Sequence, residues 1–548
     1  MAKSRALFLG GQGRKNQGLY QIIYMKMSAR PPILSDSRDG DAFGTDFDLE
    51  KLLSSNETLL VKETPRRRVY CNRDLFIKVF LLKPPVLRLR DPGKKEWTIA
   101  KALHQHGLTA PPLAHGSSKE CSYFVTKKAI GQDLESFLES TWPNLQLREK
   151  RDVIYSFYQL ITELSNAGLF QPDFHLNNVI YDHEKRCFFI IDLHRAHLRS
   201  RPLLTKERLK QLSYILPPFW GKVSRREILR LVAILSHDWV ELKARSVRFQ
   251  VQEHAFSRMR RHWSKKGLGR IQRSLKQKRN NKKFLLSSRQ TPNEVIRFIE
   301  DLSNKNIPIK KGTIKNSRHT MAVKIEIGGS PYFLKIYRCS GHLNACSYLF
   351  RTSRAIKTWN ISWEFIVRHI PTPLPLAAVD MGDPWNEIYG AAIYVWIGAG
   401  RHNTDMIRKT LKDYEAAPGF LSKLSDFVWE MHEKGVFHGD CKISNFYFDL
   451  SSPTTFTIFD LDGAKIKKRL SDRERLSDLI NLCASLEWWE VRDKLTKQIF
   501  EYYTRRCINW AGRQDLLHLL ETKVTEKIHK KRLRIDQKTA KRPKPYDV

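Results

Sequence analysis

Gly168-Leu-Phe-Gln-Pro-Asp173-Phe-His-Leu-Asn-Asn178 is followed shortly by Phe188-Phe-Ile-Ile-Asp192-Leu-His-Arg195. The same order returns as Gly435-Val-Phe-His-Gly-Asp440-Cys-Lys-Ile-Ser-Asn445, followed by Phe456-Thr-Ile-Phe-Asp460-Leu-Asp-Gly463. Each copy sets an Asp five positions before an Asn and then ends an apolar run with a second Asp. A lone Asp-x4-Asn is ordinary surface sequence. Its recurrence in the same frame is the signature of one fold used twice.

Outward from these loops the two halves keep step. Upstream of the first, Leu59–Val61, Val69–Cys71 and Leu75–Phe80 alternate like strands, and Glu96–His106 has a helical pattern closed by Gly107. A second helix is expected over Ile154–Ser165, ending at Gly168. In the second half, strands over Ala322–Ile327 and Tyr332–Tyr337 precede a helix over Ile356–Val367, closed by Pro371, Pro373 and Pro375. Leu421–His432 then ends at Gly435. Lys78 and Lys335 sit mid-strand at matching places.

Composition bounds the partners. With 41% hydrophobic residues the chain has material for buried cores, and 96 Lys+Arg against 57 Asp+Glu leave a net charge of +39. That excess favours an anionic partner: nucleic acid, an anionic membrane face or a phosphorylated glycolipid. No apolar run approaches the roughly 18 to 20 residues needed to span a bilayer, so a cytoplasmic protein is expected. None of the eight cysteines forms a Cys-x-x-Cys pair, which argues against a zinc site or a disulfide framework. The glycines around Arg14 and Lys15 lack the spacing of a phosphate loop.

Phosphoryl transfer accounts for the repeated spacing. One carboxylate must orient an attacking hydroxyl and take its proton, while an amide and a second carboxylate hold the Mg²⁺ that neutralises a triphosphate. A strand lysine can reach the phosphates, and a helix glutamate can aim it. The sequence therefore resembles the protein-kinase-like fold, and most closely the bacterial lipopolysaccharide kinases that phosphorylate heptose or Kdo sugars. Ile190-Ile-Asp-Leu-His-Arg-Ala196 is similar to the heptose-kinase form of the metal motif. The resemblance implies Lys78 and Lys335 as phosphate lysines, Glu96 as partner of Lys78, and Asp173 and Asp440 as bases. Asn178, Asp192, Asn445 and Asp460 become the metal ligands, with ATP and Mg²⁺ as cofactors and a core glycolipid as acceptor.

Four departures from that pattern stand out. Neither half has a Gly-rich loop between its first two strands, and the usual loop His is Gln171 in the first half but His438 in the second. Two positions after each metal-site Asp, where glycine is usual, stand His194 and Asp462. Aligning Trp97 with Trp359 puts Thr358 where Glu96 stands, which leaves Lys335 without a helix partner.

The expected fold class is α+β, as two tandem protein-kinase-like bilobal domains joined by a basic linker. The expected boundaries are a flexible extension over 1–55, a first domain over 56–245, the linker over 246–294, a second domain over 295–520 and a basic tail over 521–548. The first domain, with all five positions filled, is expected to be the catalyst. A protein Ser/Thr kinase and a pseudokinase scaffold docking on an anionic surface are the alternatives. Arg258–Arg289 contains no acidic residue. It is read as a solvated linker or as a docking surface for glycolipid phosphates and the inner leaflet, with Phe256 and Trp263 as interfacial aromatics. Nothing in it matches a nucleic-acid reading motif.

Overall fold

The computed structural model describes residues 49–81, 91–117, 121–220, 222–265, 271–276, 282–287, 291–303, 312–338, 353–381, 388–398, 401–449, 455–489 and 495–540. The chain divides into one unit up to Ala244 and another from Arg245. Both mix helices with several sheets, as a kinase-like fold does.

In the first unit, β1 (Thr58–Thr64), β2 (Arg67–Asn72), β3 (Leu75–Leu81), β4 (Pro112–Ser117) and β5 (Cys121–Lys127) form an antiparallel sheet in the order β1-β2-β3-β5-β4. Alternation along β3 sends Ile77 and Val79 into a core with Leu49, Cys121 and Val125, so Lys78 faces the other way. Helix α1 (Pro92–His104) starts where Asp91 accepts the Lys94 N–H at 2.9 Å and Pro92 needs no donor. Its buried side carries Ile99, Ala100, Leu103 and also Glu96. Helix α2 (Leu147–Asn166) buries the stripe Val153, Ile154, Phe157, Leu160, Ile161 and Leu164. It stops at Gly168, whose φ is +77° and where a β-carbon would meet the Arg201 carbonyl at 2.4 Å. The loop that follows leads into the hairpin β6 (Val179–Asp182) and β7 (Cys187–Ile190).

The second unit opens with helix α3 (Arg245–Lys265), then β8 (Ile271–Lys276), β9 (Lys282–Ser287) and helix α4 (Asn293–Ser303). Next come β10 (Thr313–Asn316), β11 (Thr320–Ile327), β12 (Ser330–Arg338), helix α5 (Arg354–Val367), β13 (Pro375–Asp380) and β14 (Ile388–Val395). The sheet order is β8-β9-β13-β14-β12-β11-β10. Its last five strands repeat the first unit's order, and β8 and β9 extend it past β13. Helix α6 (Ala416–Glu433) leads to the second loop and the hairpin β15 (Phe446–Asp449) and β16 (Thr455–Ile458). Helices α7 (Asp472–Glu487), α8 (Leu495–Thr504) and α9 (Gln514–Ala540) complete a core around Leu424, Val428, Leu479, Leu482, Ile499 and Leu520.

The segment expected as a linker over 246–294 is instead built into the second unit. Val251, Ala255 and Phe256 of α3 are buried, and Phe256 lies under the Arg368 guanidinium at 4.4 Å rather than at an interface with lipid. Arg260 holds both oxygens of Glu364, and Arg245 reaches Glu433 at 3.1 Å. Leu285 and Leu286 of β9 are buried against the sheet. The run looked unpaired because its acidic partners lie far along the chain. The expected tail likewise begins as α9, anchored by Leu516, Leu520 and Val524. Most of the expected extension over 1–55, together with Cys339 and Cys346, lies outside the described residues. Among the described residues no helix is long and apolar enough to cross a membrane.

Candidate active site

In the first unit, β3 carries Lys78 to the end of β7. Its Nζ lies 2.6 Å from Glu96 Oε1 and 3.1 Å from Asp192 Oδ1. Glu96 also accepts the Leu193 N–H at 3.0 Å, which ties helix α1 to the chain after β7. The expected lysine–glutamate pair is therefore present, and both members are largely buried. Burial disfavours the Asp192 carboxylate, but Lys78, His194 and Arg67 outweigh it and hold the group well below the usual range.

Asp173 sits in the loop before β6. Its oxygens meet His175 Nε2 at 3.1 Å and Arg195 Nη1 at 2.9 Å. The His175 hydrogen bond, helped by Arg195 and opposed by burial, lowers its pKa. Gln171 replaces the usual His and joins the two halves of the site. Its Oε1 accepts from the Asp173 N–H at 3.4 Å and its Nε2 donates to the Asp192 carbonyl at 3.2 Å. Asn178 reaches the Asp173 carbonyl only at 3.5 Å.

The second unit repeats the frame with a different wiring. Lys335 Nζ lies 2.6 Å from Asp460 Oδ1 and 3.0 Å from Asp462 Oδ1. Asp462 in turn accepts from Tyr337 Oη at 3.0 Å and Thr358 Oγ1 at 3.1 Å, and pairs with Arg354 Nη2 at 2.6 Å. The missing helix partner of Lys335 is thus supplied from the loop. The acid moves to position 462, and helix α5 answers with Thr358 and Arg354. Burial disfavours the Asp460 carboxylate too, and Lys335 reverses the balance to keep its pKa low.

Asp440 holds Lys442 at 2.7 Å, and Asn445 donates its Nδ2 to the Asp440 carbonyl at 2.9 Å and to Asp440 Oδ2 at 3.3 Å. That leaves Asn445 Oδ1 for a ligand. The loop is clamped from below by Asp478, fully buried, whose oxygens accept the N–H groups of His438 and Gly439 at 2.8 Å each. In the first unit Gln211 takes this part, accepting the Gln171 N–H at 3.0 Å. Asp192 and Asp460 both have left-handed backbone, with φ of 62°. Rare backbone of this kind tends to collect at functional sites.

Lys335, Asp440, Asn445 and Asp460 line one cleft of about 610 Å³. Phe333, Tyr394, Val395 and Trp396 line the same cleft, so apolar walls stand with the charged groups. Asp460 and Asn445 offer hard oxygen donors, the chemistry that suits Mg²⁺. Sequence reasoning missed Asp462, Arg354, Tyr337, Asp478 and Gln211. The acid two positions after Asp460 was the signal for the first of these.

No curated protein matches the chain. Residues 315–503 match the family model described as Lipopolysaccharide kinase (Kdo/WaaP) family, and the match does not extend into the first unit. That stretch runs from β10 to α8 and contains all four cleft residues. Residues 315–503 are thus similar to the lipopolysaccharide kinase (Kdo/WaaP) family, whose members phosphorylate sugar hydroxyls of lipopolysaccharide, and the chain is a kinase.

Proposed function

We propose that the chain comprises two protein-kinase-like bilobal domains, and that the second transfers the γ-phosphoryl group of ATP to a heptose or Kdo hydroxyl of lipopolysaccharide core. The observation that carries this reading is the convergence of Lys335, Asp440, Asn445 and Asp460 on one cleft that aromatic and aliphatic side chains also line. The apolar lining suits an adenine ring, and Lys335 suits the phosphates. Asp440 would orient the acceptor hydroxyl and take its proton as the new O–P bond forms and the bond to ADP breaks. Mg²⁺, held by Asp460 and Asn445, would neutralise the phosphate oxygens.

Sequence alone favoured the first unit because Lys335 lacked a partner. Asp462 removes that reason, and Lys442 pairs with Asp440 at the position where His175 stands beside Asp173. Lys527 of α9 bonds to Asn481, which donates to the Gly439 carbonyl at 3.2 Å. Basic residues beside Asp440 support an anionic acceptor. The exposed C-terminal turns of α9, with Lys530, Arg532 and Arg534, support attachment to the anionic inner face of the membrane.

A turnover assay with the full chain, Mg-ATP and core glycolipid, followed by mass mapping of the product, tests the assignment. One phosphate on a core sugar is expected. Label on protein rather than glycolipid would make the enzyme a protein Ser/Thr kinase.

A further inference from the structure

The turn between β1 and β2 of the first unit lies where a phosphate-clamping loop would run. With the strand ends it reads Thr64-Pro-Arg66-Arg67-Arg68, arginines in place of glycines, with Arg67 opening β2. Arg67 turns inward, with Nη1 2.8 Å from Asp192 Oδ1 and 3.2 Å from His194 Nδ1. Lys78 reaches the same Oδ1 at 3.1 Å and His194 Nδ1 reaches it at 2.7 Å. Three nitrogens thus converge on one carboxylate oxygen.

Glu96, Asp192 and His194 offer ligand atoms within 4.8 Å of one another, close enough to hold a metal ion. The space among them is nonetheless served by side-chain cations. Lys78 bonds to Glu96 and Asp192, and Arg67 bonds to Asp192 and His194. A divalent cation there would face two positive groups already within bonding distance of its own ligands. Asp460 differs, because among the described residues only Lys335 bonds to it. The donor set at Asp192 does not fit a divalent cation.

We propose that the first unit is a second nucleotide site, one that binds a nucleoside triphosphate without a divalent cation. Arg67 and Lys78 supply the positive charge that a metal brings elsewhere. The guanidinium fork suits phosphate oxygens, and its salt bridge to Asp192 holds it at the site until they arrive. The strand order and the β3 lysine match those of the second unit, which is the ground for naming a nucleotide rather than a bare phosphate.

Calorimetric titration of the full chain tests this, in a Lys335→Met/Asp460→Ala background that silences the second unit. With excess EDTA, ATP should bind at one equivalent per chain, and pyrophosphate should bind more weakly. Arg67→Met should weaken ATP binding in EDTA by about 10- to 100-fold, the worth of a charged hydrogen bond. Mg²⁺ should restore much of it, because the vacated place can then take the ion. Arg67→Lys, which keeps the charge, should fall between the two, and melting curves show whether each variant is folded. No ATP binding in EDTA, EDTA binding unchanged by Arg67→Met, or a folded Arg67→Met chain that Mg²⁺ does not rescue would each overturn the proposal. Pyrophosphate binding as tightly as ATP would overturn the nucleotide assignment.

Discussion

Asp462→Asn removes a charge from Lys335 while keeping the size of the side chain and an oxygen that can still accept from Tyr337 and Thr358. Lys335 is only 12% exposed and has two carboxylates, at 2.6 and 3.0 Å, so the change leaves it with Asp460 alone. A hydrogen bond to a charged group contributes about 1.5–3 kcal/mol. If Asp462 positions Lys335 for the phosphates, losing one such bond should cut kcat/KM for ATP by about 10- to 100-fold. Arg354 also loses its ion pair, so some thermal destabilisation should accompany the loss. Initial rates of phosphate transfer to core glycolipid at varied ATP, alongside melting curves, separate the two effects. Adding Thr358→Glu returns a carboxylate from the helix, the arrangement of Glu96 with Lys78, and should recover part of the rate. A folded Asp462→Asn enzyme with unchanged ATP dependence would refute the assignment of Asp462 as the partner of Lys335.

Asp440→Asn should lower turnover by about 10²- to 10⁴-fold, the usual contribution of a general base, whereas Asp173→Asn should leave most of it. The opposite ranking in the same glycolipid assay would make the first unit the catalyst. Burial, helped by the nearby Lys434 charge, pushes the His369 imidazole down to about 4. The unfolded chain, with an imidazole near about 6.5, takes up the proton first, so stability present above that pH is lost as pH falls toward about 4. His369→Asn, which suits the φ of 50° there, should flatten the fall in Tm across that window. Lys530→Glu, Arg532→Glu and Arg534→Glu together should reduce co-sedimentation with anionic vesicles at low salt, with turnover on detergent-dispersed glycolipid unchanged. Binding that ignores both salt and these changes would return the helix to a plain solvated role.

The repeat, the strand lysines and the Asp-Asn-Asp frame were legible because each depends on local spacing. Lys78, Glu96 and Asp192 meet as the resemblance implied, since a strand, a helix and a strand end fix all three. The partner of Lys335 was not legible. The acid had moved from helix to loop, and only the folded chain brings position 462 back beside the strand. The basic segment misled for a related reason. Within Arg258–Arg289 nothing balances the charge, yet Arg260 is balanced by Glu364, a hundred residues on. Charge pairing across such a distance leaves no trace in a local window. Arg67 was hidden in the same way, as one of three consecutive arginines of which only the fold selects which turns inward.

The left-handed backbone at Asp192 and Asp460 sets stability against function at two single positions. Glycine suits that conformation best, and a side chain there carries strain on the order of 1 kcal/mol. A search for thermostable variants that scored melting temperature alone would drift toward glycine at both places and discard the carboxylates that Lys78 and Lys335 hold. Engineering this chain for robustness therefore requires a functional screen at 192 and 460 from the outset.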